Sequence, residues 1–300
     1  MMRSILFLFL AFISLVTASV LSRAGDPAIN TDIVHNRTRL ILFFEHNENL
    51  TFQEFSDYLR GPHAKLFLGT KAVRQNLLRY EQLHVNQTWK QDLKNQGYRV
   101  PVFDGVMIAE AENIDKINEA FNNKEYNDTV IPDTHKFAIP ASGHAAAVKI
   151  TSVVNKLPEE TTMPDSEMGV IRKDVQRLVG YFSHKSGMDY QPDFVRYWAK
   201  VDTPGLMNVV KSIREDKEVL QYELNTLDPV TPTINNRFGP FKDWDAVGVL
   251  SGQNIKELMD VLKNPQMGSF MRHDAPNFVD LNKEIDIIPC DVVSYKIPPP

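Results

Sequence analysis

The sequence predicts an α+β protein in which one domain plan is used twice. Two observations predict it: an internal repeat about 140 residues long, and, within each copy, apolar segments of strand length alternating with segments of helical period. Arg39-Leu40-Ile41-Leu42-Phe43-Phe44 returns as Arg177-Leu178-Val179-Gly180-Tyr181-Phe182, and Phe55, Tyr58 and Leu59 return as Phe194, Tyr197 and Trp198. Leu78-Arg79-Tyr80-Glu81 answers to Leu220-Gln221-Tyr222-Glu223, Phe103-Asp104-Gly105-Val106 to Trp244-Asp245-Ala246-Val247, and Asp133 with Phe137 to Asp274 with Phe278. Solenoid repeats run roughly 20 to 50 residues, so this period marks a duplicated domain. The expected organisation is a signal peptide over residues 1–18, a first domain over 36–156, a linker over 157–174 and a second domain over 175–297.

The elements follow in order. The apolar run Ile5 to Val16 is too short to span a bilayer, and Val16-Thr17-Ala18 suits signal-peptidase cleavage, so export with a mature start near Ser19 is expected. Sequons at Asn36, Asn49, Asn86 and Asn127 agree with a secreted glycoprotein, although each is also an ordinary polar turn. Leu40 to Phe44 and Leu178 to Phe182 read as strands. Thr51 and Glu54 have capping-box spacing ahead of Phe52, Phe55 and Leu59, so the first helix starts at Thr51. It should stop near Gly61-Pro62, because proline lacks a donor and disfavours helix at the residue before it. His63 to Leu78 can restart as a second helix; Val102 to Ile108 reads as the second strand, Asn113 to Phe121 as the next helix and Val148 to Val154 as the last strand. Lys156 to Gly169, polar and proline-bearing, reads as linker. A sheet with helices on one face must bury the other, and packing the two open faces together gives a barrel-like interior within one chain.

Composition narrows the function. A net charge of −5 with no basic face argues against nucleic acid and acidic membranes as partners, and no second apolar run suggests a membrane anchor. The single cysteine, Cys290, excludes an intramolecular disulfide and sits in a strand-like run with no histidine nearby, the pattern of a core residue. There is no His-x-x-x-His pair, phosphate loop or dinucleotide fingerprint. For haem, the nearest candidate ligand in the second half is His273, whose counterpart is Pro132, so neither metal nor cofactor is expected.

The segment Phe55-Ser56-Asp57-Tyr58-Leu59-Arg60-Gly61-Pro62-His63-Ala64-Lys65-Leu66 resembles the signature of the EthD domain, and Phe194 to Leu206, which keeps Tyr197-Trp198, is similar. The resemblance implies two tandem ferredoxin-like units forming a dimeric α/β-barrel fold as an intrachain pseudo-dimer, hence a monomer. It also implies a decarboxylase, oxygenase or cyclase type of chemistry, an oxidoreductase or lyase without bound cofactor, on small hydrophobic aromatic or polyketide-like molecules. Tandem exported versions are similar to those of filamentous fungi. The first repeat has Lys65 where the family often has proline; the second keeps Pro204 but has Asp202 in place of the histidine.

His63 is therefore the candidate catalytic residue, because an imidazole at a helix break can exchange protons near physiological pH; the alternative is a helix-end packing role. Asp202 is expected to be an exposed carboxylate unable to replace it. His46 and His184 follow the first strand of each repeat and are candidate ligand contacts at one end of the shared interior, or simply polar residues closing a strand. Tyr58, Tyr197 and Trp198 are candidates for cavity wall or core. Asp104 and Asp245 suggest a recurring turn role. A noncatalytic binding protein using the same cavity is the competing class.

Overall fold

A computed structural model describes residues 33–139, 142–155, 157, 170–188, 194–213, 219–227, 244–280 and 286–299. The signal-peptide segment, 1–18, and most of the expected linker lie outside these. The first repeat supplies strands β1 (Ile33–Phe44), β2 (Arg79–Val85), β3 (Gly105–Ala111) and β4 (His144–Asn155), and the second β5 (Val170–Phe182), β6 (Gln221–Leu227), β7 (Ala246–Gly252) and β8 (Asp286–Tyr295). All pair antiparallel in one closed barrel of order β1-β3-β2-β8-β5-β7-β6-β4. Each repeat thus contributes a sheet of order 4-1-3-2, and the two sheets join edge to edge through β2 with β8 and β4 with β6. The pseudo-dimer is closed by backbone hydrogen bonds as well as by facing side chains, which leaves no free sheet edge.

Strand alternation sorts the residues. In β1, Ile41 and Phe43 face the barrel interior with Val106, Val148, Val179, Val249 and Cys290. Leu40, Leu42 and Phe44 face outward under the helices of the first repeat with Phe55, Phe67 and Tyr80. Both faces of β1 are covered, which is why its sequence is a continuous apolar run rather than an alternation. Each such fully buried Leu or Phe contributes about 1.5–3 kcal/mol of transfer free energy.

On the outside, the first repeat carries α1 (Phe52–Tyr58), α2 (Ala64–Gly69), α3 (Lys71–Asn76), α4 (Gln87–Asn95), α5 (Ile114–Asn122) and α6 (Ile131–Phe137). The second carries α7 (Val195–Tyr197), α8 (Thr203–Ile213), α9 (Ile255–Lys263) and α10 (Pro265–Phe278). The Thr51–Glu54 capping box is formed: Thr51 caps α1, and the Glu54 carboxylate accepts from the Thr51 backbone N–H at 2.8 Å. Cys290 is fully buried, and burial pushes its thiol well above the usual range.

Two expectations need correction. The pattern of three strands per repeat missed β2, and the second strand starts at Gly105 rather than Val102, which is exposed. β2 reads Arg-Tyr-Glu-Gln-Leu-His-Val and hides because its inward-facing end is charged. The Glu81 carboxylate lies inside the barrel, accepting from Arg177 at 2.6 Å. The linker boundary also moves: residues 170–174 belong to β5, where Val170 and Ile171 pair with Ser294 and Val293 of β8.

Candidate functional site

The site begins at the break after α1. Pro62 has no N–H, and the chain widens there into a π-helical turn, Leu59–His63, before α2 resumes the helix. The turn is tied to the sheet: Gln82 Nε2 donates to Leu59 O at 2.9 Å, and Tyr295 Oη lies 3.0 Å from Arg60 O, its one proton shorter to Gln82 Oε1 at 2.7 Å. Gln82 Oε1 in turn accepts from Tyr295 OH and from His84 Nε2. That puts a proton on His84 Nε2; burial, then the nearby Arg60 charge, pushes its pKa down to about 4, so Nδ1 is left to accept from Ser56 Oγ at 2.7 Å. The helix thus bends at Gly61-Pro62 as expected, but continues rather than stops.

The turn places His63 between helix and sheet, 5 % exposed. Its Nδ1 lies 2.9 Å from Asp133 Oδ2 on α6. Asp133 Oδ1 accepts from Tyr58 OH at 2.6 Å and from Lys136 Nζ at 3.0 Å. The hydrogen bond to His63, helped by those from Tyr58 and Lys136 against the opposite push of burial, holds the Asp133 carboxyl well below the usual carboxylate range. An ionised carboxylate only accepts, so Nδ1 carries a proton towards Asp133, and Nε2 has no hydrogen-bond partner among the described residues.

His63 lines a cavity of about 190 Å³ between the sheet and the helices of the first repeat, walled by Leu42, Phe44, Leu59, Met107 and Phe137 among others. The chamber is mostly apolar and opens at a rim where His135 is exposed; the His63 ring in its wall is oriented by the Asp133 carboxylate. Among the described residues, no group of three or more His, Cys, Asp or Glu side chains could hold a metal ion.

The equivalent position in the second repeat is built differently. A π-helical turn, Trp198–Asp202, recurs, but Asp202 is only 1 % exposed rather than an open carboxylate. It faces Asp274, the counterpart of Asp133, and burial first, then Asp274, pushes its carboxyl well above the usual range. Tyr222 OH donates to Asp202 Oδ2 at 3.2 Å and Tyr197 OH to Asp274 Oδ1 at 2.7 Å. Asp274 Oδ2 is buried with no hydrogen-bond partner among the described residues. A protonated Asp202 can donate a hydrogen bond, which the bare Asp274 oxygen can accept.

The remaining candidates fall outside the cavity wall. His46 and His184 do not line the barrel interior: strand alternation puts them on the helix side, His46 against the rings of Phe52 and Phe55. Each is clamped by the aspartate two strands' turn away, His46 Nδ1 to Asp104 Oδ2 at 2.6 Å and His184 Nδ1 to Asp245 Oδ2 at 2.5 Å, with the same aspartate accepting from the histidine's backbone N–H. Trp198 is fully buried core and donates its Nε1–H to Tyr222 OH at 3.1 Å, because its repeat packs the ring under the helices. Tyr58 serves Asp133 rather than a ligand, and Tyr197, whose phenol is pushed up to about 12 by burial and Asp274, borders an open groove with Lys185, Lys200 and Asn277. Of the sequons, Asn36 lies in β1, Asn49 is exposed in a turn, and Asn127 is half-buried in a second π-helical turn, Tyr126–Val130. Asn86 is engaged: it caps α4 and its Nδ2 donates to Asp291 Oδ2 at 3.0 Å. His273 is exposed on α10, its Nδ1 bonded to Ser269 O.

Fold and site together define an eight-stranded, internally duplicated α/β barrel with a ligand-sized chamber under the helices of its first half. Residues 47–141, which contain that chamber's helices, match the EthD domain family. Among solved structures, a candidate monooxygenase of Fusobacterium nucleatum is similar at a TM-score of 0.50 and 9 % identity, over 87 % of this chain and 94 % of that one. Another from Lactobacillus acidophilus has a TM-score of 0.45 at 11 % identity, over 86 % of this chain and 94 % of that one. An anthrone oxidase-like protein has a TM-score of 0.49 at 6 % identity, over 88 % and 95 %. At such identities the likeness is one of fold. No curated protein matches the chain in sequence.

Proposed function

We propose that the protein is an exported enzyme of EthD type, an oxidoreductase or lyase working without a resident cofactor on a small aromatic or ketide. In this reading His63 is its proton acceptor and donor. The observation that carries it is the His63–Asp133 pair in the wall of the 190 Å³ chamber: Nδ1 anchored, Nε2 unengaged. Asp133 fixes the tautomer and stabilises the imidazolium that forms when Nε2 takes a proton from an acidic C–H or O–H. The chamber's size supports a one-ring molecule, since an apolar cavity of about 150 Å³ is enough for benzene. The match over 47–141 and the monooxygenase name attached to one protein of similar fold support the class of chemistry. Export rests on the N-terminal apolar run and on the exposed Asn49 sequon.

The test is to purify the protein from its own host, identify any small molecule held in it by native mass spectrometry, and assay conversion of that molecule. His63→Ala and Asp133→Asn should each keep binding and lower kcat, His63→Ala by roughly 10²–10⁴-fold, the usual contribution of a positioned acid–base group. Turnover that survives His63→Ala defeats the enzymatic reading. Binding without any turnover replaces it with a noncatalytic carrier.

A further inference from the structure

Resting on the reading of the first-repeat chamber as the functional site, we infer that His135 is its second polar anchor. The molecule the chamber takes is then a one-ring aromatic with oxygen functions on two sides, one against His63 and one against His135. Along α6 and its end, Ile131, Thr134, His135, Ala138 and Ile139 recur at helical spacing as one stripe of the chamber wall. On such a stripe an apolar residue is the physical default, and four of the five positions keep to it or neutralise their polarity: Thr134 Oγ1 donates to Val130 O at 2.9 Å. His135 does not; among the described residues its ring makes no hydrogen bond, and it stands exposed at the rim, while His63 is buried at depth. Elsewhere in the wall the Tyr80 hydroxyl already accepts from Gln82 Nε2 at 2.9 Å.

The duplication sharpens the inference. By alignment of the repeats, His63 corresponds to Asp202 and His135 to Pro276, so both imidazoles belong to one half and both are replaced in the other. In the second half the space beside the π turn is occupied by hydrogen bonds among Asp202, Tyr222, Asp274 and Tyr197. Two ring nitrogens at different depths of an apolar chamber select a ligand with an apolar middle and an oxygen at either end. A ring bearing a single oxygen satisfies His63 alone.

The experiment uses toluene, phenol, resorcinol and hydroquinone as probes, with affinities from calorimetry or ligand-detected NMR on the intact protein. Phenol should bind more tightly than toluene, and at least one of the dihydroxybenzenes more tightly than phenol. Each step should be roughly 3- to 10-fold, the yield of one hydrogen bond. His135→Phe, which keeps ring volume on an exposed position, should leave phenol binding intact and abolish the second step; His135→Gln, which keeps a donor and an acceptor, should restore part of it. A second step that persists in His135→Phe, or dihydroxybenzenes that bind no better than phenol, overturns the role of His135 alone. If even toluene and phenol fail to bind, the chamber is not a ligand site and the proposed function falls with it.

Discussion

His63 and Asp202 occupy equivalent places in the two halves and handle protons in opposite ways. Asp133 is held in its charged form beside His63, whereas burial and Asp274 push the Asp202 carboxyl towards its protonated form. The sign for stability follows. A carboxyl whose folded-state pKa lies above its unfolded value, about 3.9, contributes fully below that value and loses its contribution as pH rises towards the folded-state pKa. The second half should therefore weaken as pH climbs from about 4. Asp202→Asn, whose amide can donate to Asp274 Oδ2 at any pH, should leave the melting temperature at pH 4 nearly unchanged and raise stability at pH 8 by about 1–3 kcal/mol. Melting curves of parent and variant that run parallel from pH 4 to 9 would show that the Asp202 carboxyl is not raised. His63 was legible in the sequence because the turn around it carries a recognisable pattern. The burial of Asp202 was not, since a lone aspartate after a helix break looks the same whether it faces water or a second carboxyl.

At the scale of elements, apolar strands were legible and charged ones were not. β1 and β5 announce themselves as continuous runs because both of their faces are covered, whereas β2 and β6 carry Glu81 and Glu223 into the barrel and have no such apolar run. The recurrence of Arg79-Tyr80-Glu81 as Gln221-Tyr222-Glu223 was the available signal, and periodicity alone could not turn it into a strand. The pairing of β1 with β3 also shapes the chamber. Gly105 lies opposite Phe44, and a Cβ there would stand 2.7 Å from Phe44 Cε2 and 3.1 Å from Phe55 Cζ. The corresponding pair in the second half is Phe182 opposite Ala246. Gly105→Ala should therefore cost about 1–3 kcal/mol by overpacking and drive the Phe44 ring into the chamber it lines. The expected readout is a melting temperature lowered by several degrees together with weakened toluene binding; unchanged binding at lowered stability would mean that Phe44 moves away from the chamber.

At the scale of the whole molecule, the two halves are cross-connected by buried charge. Arg39 of the first half donates to Glu223 of the second at 2.7 Å and to Asn225 at 2.8 Å, and Arg177 of the second donates to Glu81 of the first at 2.6 Å. Glu110 and Ser152 on one side, Ser251, Gln221 and Ser294 on the other, complete the layer. Burial alone would raise Glu81 and Glu223, but the arginines outweigh it and hold both carboxyls below the usual range. A carboxylate with a depressed folded-state pKa contributes above its unfolded value, about 4.3, and loses that contribution as pH falls below it. This layer, with the β2–β8 and β4–β6 edges, should hold the halves together without a covalent connection. A protease site introduced between residues 158 and 169 should give, after cleavage, a particle that light scattering still sees as one intact chain's mass at pH 7 and that comes apart below about pH 4. Combining cleavage with Glu81→Gln and Glu223→Gln removes both charge pairs that cross between the halves: Arg177 loses Glu81, and Arg39 keeps only Glu110 of its own half. Breaking a buried pair costs on the order of 3–5 kcal/mol, so those halves should separate already at pH 7. Parent halves that part at pH 7 and remain folded would show that each half is a self-sufficient domain and that the charged layer does not join them.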